Sequence, residues 1–205
     1  MPPRRSDSGG RSGGNRRSGT SGRSSGGRRP GAVGARPAPR PAPRVPVRAI
    51  HPPVDPAELE ADFRTFHAEL ARRGQELAEA PLNLVRRYGE MVVTRSALLN
   101  LVSPGDRQRI FTRHIAECLA PELVATAQRA ASLVDIGSGA GLPGIPLAIV
   151  APGLRVLLVE PRVRRAQFLE ATALALGLGD RVEVFQGSAE RLLNISQGEL
   201  GAGLA

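Results

Sequence analysis

The sequence predicts an α/β fold, with about three parallel strands and their crossover helices preceded by a helical segment and a disordered tail. Three observations carry this. Short apolar runs at Leu133 to Ile136, at Val156 to Val159 and at Val182, Val184 and Phe185 alternate with stretches of helix length. That alternation is the mark of a parallel sheet, whose strands are joined by crossovers of about a dozen residues or more. Residues 55–131 instead place their apolar side chains at helical spacing. Finally, residues 1–48 hold twelve Arg, ten Gly and a single acid, Asp7. So little apolar surface cannot offset the entropy of ordering a chain. The expected divisions are a tail and linker over 1–54, a helical segment over 55–131 and an incomplete sheet portion over 132–205.

Charge divides the same way. The tail carries +11 of a net charge of +9, which leaves about −2 for residues 49–205. The basic balance thus describes a tail and not a basic domain. Its Gly-Gly-Arg steps at Gly9 to Arg11 and Gly26 to Arg28 resemble disordered RNA-binding segments, which gain affinity by counterion release; a passive solvated extension is the other reading. Cys118 is the one cysteine, which excludes an intrachain disulfide and fits a reducing, cytoplasmic setting. No secretory signal is expected near Met1. The uncharged run Ile136 to Leu154 contains five Gly and three Pro, so it reads as a turn-rich soluble segment and no membrane span is expected.

Residues 37–53, rich in Pro, read as an extended linker, with order starting at Asp55. Asp55-Pro56-Ala57-Glu58 supplies an N-cap, a proline at the first helical position and an acid for a capping box. Leu59, Phe63, Phe66 and Leu70 then form the apolar stripe of a helix that Pro81 is expected to interrupt. Leu82, Val85, Tyr88 and Val92 predict a second helix ending near Asn100. Asp106 can cap a third, striped by Ile110, Phe111, His114, Ile115 and Cys118, and Pro121 opens a short fourth. After the first strand and a glycine cluster, Leu142 to Val150 can be a helix. Arg162 to Leu176 predicts another, with Gly177 just past its end as a left-handed cap.

The chemistry lies in Asp135-Ile-Gly137-Ser-Gly139-Ala-Gly141-Leu-Pro-Gly144. Gly139, Gly141 and Gly144 satisfy a dinucleotide-binding pattern; Gly137, Gly139 and Gly141 give the turn of a methyltransferase. Glu160, ending the second strand, suits two ribose hydroxyls in either case. Asp135 decides between them. A dinucleotide would place an anionic pyrophosphate above this turn, which a carboxylate repels; S-adenosylmethionine places an ammonium and a sulfonium there, which a carboxylate attracts. The portion is therefore read as the N-terminal half of a Rossmann-type methyltransferase sheet. Gln186-Gly187-Ser188-Ala189-Glu190 falls where a loop would flank the adenine, or is a plain connecting loop.

The run Val134 to Ile149, with its two prolines Pro143 and Pro146, closely resembles the signature of the RsmG (GidB) family. Asn100-Leu101 and Arg113-His114-Ile115 resemble two further elements of that family at similar spacing, so the resemblance covers roughly Phe63 to Arg191. It implies S-adenosylmethionine-dependent methylation of guanine N7 in small-subunit ribosomal RNA, and a ribosomal RNA or small-subunit partner with neither membrane nor metal. Gly137, Leu142, Ala189 and Glu190 match the family's cofactor contacts by position; Gly139 and Gly141 complete the turn, and Asp135 and Glu160 join them on the physical grounds above. Arg113 and His114 match an element beside the active cleft, although His114 also suits a core position on its helix. No catalytic acid or base is assigned, because N7 already offers a lone pair. Two features depart from the family. Arg95-Ser96 stands where the family carries Trp-Asn, and only fifteen residues follow Glu190, without a strand pattern. A fourth strand bearing an Arg is thus expected to be missing. An RNA-binding protein with a degenerate cofactor fold, or an inactive truncated product, is the competing expectation.

Overall fold

The computed structural model describes residues 49–202, with side chains through Ile195. The expected disordered tail over 1–48 lies outside the described residues. Helix α1 (Pro56–Arg72) starts as the sequence dictates: the Asp55 carboxylate accepts a hydrogen bond from the Ala57 amide at 2.8 Å, and Pro56 occupies the first turn. Helix α2 (Glu79–Leu99) follows. Pro81 does not interrupt the first helix as expected; it sits in the first turn of α2, where a missing N–H costs nothing. Order also begins before Asp55, because the Ile50 amide donates to the Ala97 carbonyl and Arg107 donates to the Pro52 carbonyl.

The expected third helix is irregular. A 3-10 helix (Pro104–Arg109) runs into a π-helix (Ile110–Ile115) and then a single turn, α3 (Ala116–Cys118). The buried Asp62 carboxylate on α1 sets this distortion. Its oxygens accept from the Phe111 amide at 2.8 Å and the Thr112 hydroxyl at 2.5 Å, satisfying groups at the π-helix start. Phe111 packs edge-on against Phe63, with ring centroids 5.0 Å apart. Pro121 opens α4 (Pro121–Arg129) as predicted.

The sheet is parallel, in the order β1 (Ser132–Ile136), β2 (Arg155–Glu160), β3 (Val182–Gln186). Asp135 stands level with Leu158 and Val184, so these three share one face. Against that face lie α5 (Gly144–Val150), on β1 and β2, and α6 (Val163–Ala175), on β2 and β3. Helix α2 packs across both. One hydrophobic core therefore runs from Phe66 and Val85 of the helical segment to Ile145, Leu147 and Leu158 of the sheet portion. Each fully buried aliphatic side chain contributes about 1.5–3 kcal/mol. The chain after β3 forms α7 (Ala189–Ala202), so Ala189 and Glu190 open a helix instead of lying in a loop.

Cys118 is buried, close enough to Tyr88 to raise that hydroxyl and close enough to Asp135 to feel its charge. Burial first, then the charges of Glu117 and Asp135, push its thiol up to about 12. Thiolate is the reactive species. Iodoacetamide is therefore expected to leave Cys118 unlabelled in the native chain and to label it once denaturant unfolds the core. Rapid labelling under native conditions would contradict the packing.

Candidate functional site

Parallel strands bring their carboxyl ends to one edge, and there the loops after β1, β2 and β3 converge. Gly137, Gly139 and Gly141 all have positive φ, which lets the chain double back within five residues. The turn is anchored from below: the Gly137 and Ser138 amides donate to the Val159 carbonyl, at 2.8 and 3.1 Å, and the Ser138 hydroxyl donates to the Asp135 carbonyl at 2.8 Å. Above, it is open. A Cβ built on Gly137 meets no atom within 4 Å.

Asp135 lies beneath this turn, only 8% exposed. Its Oδ2 accepts from the Gly144 amide at 3.1 Å, which holds the start of α5. Oδ1 has no bonding partner among the described residues, yet it is not sealed away as a buried orphan. Burial raises the carboxyl above its ordinary range, and the Gly144 amide partly offsets that. The structure therefore divides the residue's work: one oxygen caps a helix, and the other remains able to meet a cation.

Glu160, 3% exposed, accepts from the Gly139 amide at 3.0 Å through Oε2 and from the Arg162 amide at 2.9 Å through Oε1. Each carboxylate oxygen has two lone pairs, so one per oxygen is left for hydroxyl donors. Leu142 is half-buried beside the turn. Across β2, the Gly187 amide donates to the Glu160 carbonyl at 3.2 Å, bringing the β3 loop to the same edge. Ser188 caps α7 with its hydroxyl, 3.3 Å from the Arg191 amide. Ala189 is half-buried, and Glu190 is exposed with its carboxyl lowered, chiefly by the Ser188 hydroxyl.

Arg113 and His114 are gathered on one carboxylate, that of Asp106, at 3.2 Å from Arg113 Nε and 3.5 Å from His114 Nε2. The Ser103 hydroxyl above all, with Arg113 and His114 adding to it, holds the Asp106 carboxyl below its usual range. His114 is half-buried in this polar cluster, while its neighbour Ile115 takes the core position. The Arg113 ion pair and the carboxylate nearest His114 are both at Asp106 and not at the glycine turn, and His114 Nε2 is buried without a hydrogen-bond partner among the described residues.

Two residues not anticipated from the sequence tie the helical segment to the turn. Tyr88 of α2, fully buried, donates from its hydroxyl to the Ala140 carbonyl at 3.0 Å; burial pushes that hydroxyl well above its ordinary pKa. The one signal was a Tyr inside an apolar stripe, since a buried phenol needs a polar partner. Arg165 of α6 donates from Nη2 to the Asn100 carbonyl at 2.8 Å, at the left-handed cap that ends α2.

The family model for rRNA small subunit methyltransferase G (GidB) matches residues 81–200, from the start of α2 into α7. The chain is 43% identical over 103 residues to a ribosomal RNA small subunit methyltransferase G from Frankia casuarinae, covering 50% of this chain and 38% of that protein. To the protein of the same name from a Nocardioides species it is 42% identical over 124 residues, with 60% and 48% covered. The corresponding Mycobacterium marinum protein is 43% identical over 110 residues, with 53% and 46% covered. The chain thus spans about half or less of the length of these curated relatives.

Proposed function

Because the chain belongs to the rRNA small subunit methyltransferase G family, we propose that it carries the cofactor-binding portion of an S-adenosylmethionine-dependent enzyme acting on guanine N7 of small-subunit ribosomal RNA, in the cytoplasm. The observation that supports this most is the free Oδ1 of Asp135 beneath an open glycine turn. An ammonium or sulfonium is attracted to that oxygen, whereas a pyrophosphate is repelled by it. When bound, the cofactor supplies an electrophilic methyl group.

The chain's own residues then have positional work. Gly137 and Gly139 leave the backbone bare for close approach, Gly141 turns the chain where Ile145 and Leu169 leave no room for a Cβ, and Leu142 forms the apolar side of the turn. Glu160 receives ribose hydroxyls on its remaining lone pairs, and Ala189 and Glu190 flank the adenine. Arg113 and His114, by their match to the family's element, are assigned to the substrate. Guanine N7 offers its lone pair without prior deprotonation, so rate comes from aligning it with the methyl group and no general base is assigned. The target base must be unstacked or presented from a loop.

Calorimetry on the 205-residue chain tests the first step. S-adenosylmethionine and its demethylated product are expected to bind with one-to-one stoichiometry, and NAD is expected to give no heat of binding. Preference for NAD would sink the assignment.

A further inference from the structure

Three arginines cluster at the start of α6: Arg162 at the N-cap, then Arg164 and Arg165 within the first turn. That turn holds no acidic residue and the N-cap makes no side-chain hydrogen bond. A helix N-terminus already presents partial positive charge, so cations there are unfavourable unless an anion joins them. Arg165 is accounted for by its bond to Asn100. Arg162 and Arg164 are exposed, and among the described residues neither guanidinium makes an ion pair or a hydrogen bond.

The two arginines border a groove of about 430 Å³ between the end of α2 and the start of α6, with Leu98, Leu99 and Val163 also lining it. No acidic side chain lines it. Val163 is 49% exposed, an apolar side chain held open to solvent between two arginines. Apolar surface beside unpaired guanidinium groups suits a nucleotide backbone, with the sugar against the aliphatic side chains and phosphate on the cations. The groove also adjoins the candidate cofactor site: the Arg162 amide donates to Glu160, and Arg165 Nη1 lies 3.9 Å from the Cβ position of Gly139.

We propose that this groove seats the phosphodiester backbone of the RNA substrate, with Arg162 and Arg164 as its phosphate ligands. The inference rests on the RNA reading of the previous section and assigns it a surface. RNA is favoured over an acidic polypeptide because the groove pairs its cations with an aliphatic surface next to the methyl-donor site.

The test compares the 205-residue chain with Arg162→Gln/Arg164→Gln and Arg162→Lys/Arg164→Lys variants. Affinity for an unstructured RNA oligonucleotide is measured across salt concentrations, together with S-adenosylmethionine affinity and melting temperature. Each phosphate contact on a single strand contributes about −0.7 to the slope of log affinity against log salt. The Gln variant is expected to flatten that slope by about 1.4 with cofactor affinity and melting temperature preserved, and the Lys variant to retain it. An unchanged slope with intact cofactor binding would overturn the groove assignment and leave the methyltransferase reading standing. Absence of cofactor binding in the parent chain would instead count against that reading, whatever the arginines do. Loss of binding to poly-glutamate, but not to RNA, would overturn the proposal in favour of an acidic protein partner.

Discussion

Replacing Asp135 with asparagine is expected to stabilise the ligand-free chain at neutral pH and to weaken S-adenosylmethionine binding by about 1–3 kcal/mol, the scale of a charge-assisted contact. Asparagine keeps an oxygen for the Gly144 amide, so the α5 cap survives. Only the charge is lost. The carboxyl is raised above its ordinary value of 3.8, mainly by burial, so the folded chain binds that proton more tightly than the unfolded one. Its contribution favours the fold at low pH and is lost as pH rises from 3.8 through the raised value. Above that window the native chain bears the full cost of a buried charge, which the variant does not. The gap in melting temperature between the two proteins should therefore be wide at pH 7 and close at pH 3 to 4. A variant melting below the parent at pH 7 would show that the carboxylate is stabilising in place. Unchanged cofactor affinity would remove Asp135 from the site.

The same residue shows what a linear reading of the sequence conveys. The glycine turn was legible because its parts are local: the strand before it, the positive-φ glycines and the acid at the next strand end all lie between Leu133 and Glu160. Gly177 and the Asp55 cap were legible for the same reason, since a cap is decided within one helical turn. What escaped depends on distant partners. The π-helix at Ile110 owes its start to Asp62, almost fifty residues earlier, whose charge gave no hint of burial. Tyr88 reaches Ala140 across fifty-two residues. Likewise, the helical spacing of His114 left a core position and a substrate contact equally open; the irregular helix brings its buried Nε2 within 3.5 Å of Asp106, a neighbour that the sequence did not indicate. Asp135 was read as facing a ligand only; its second task, holding α5, needs the fold to bring Gly144 beneath the turn.

Gly144→Ala is expected to cost about 1–3 kcal/mol of stability, the range for overpacking a close-packed core. An added Cβ would lie 2.5 Å from Leu158 Cδ2, 2.9 Å from Asp135 Oδ2 and 3.2 Å from Val156 Cγ1. The two apolar neighbours have no free space into which to move. Leu158 is fully buried and Val156 is 3% exposed, both on the central strand of the described sheet. Helix α5 must therefore shift outward, which lengthens the Gly144–Asp135 hydrogen bond and loosens the start of the helix. Gly137→Ala supplies the contrast. A Cβ there meets nothing within 4 Å, but φ is +77°, a conformation that costs an L-residue roughly 1–2 kcal/mol. Its methyl group would also enter the space above the turn that the cofactor is proposed to fill. Thermal melts should therefore place Gly144→Ala at or below Gly137→Ala, by roughly 2–4 °C per kcal/mol of difference. Calorimetry should rank them the other way, with Gly137→Ala losing more cofactor affinity. If Gly144→Ala melts with the parent chain, α5 does not pack on β1 and β2 as closely as the distances state. If Gly137→Ala binds S-adenosylmethionine normally, the ligand does not lie over the first glycine.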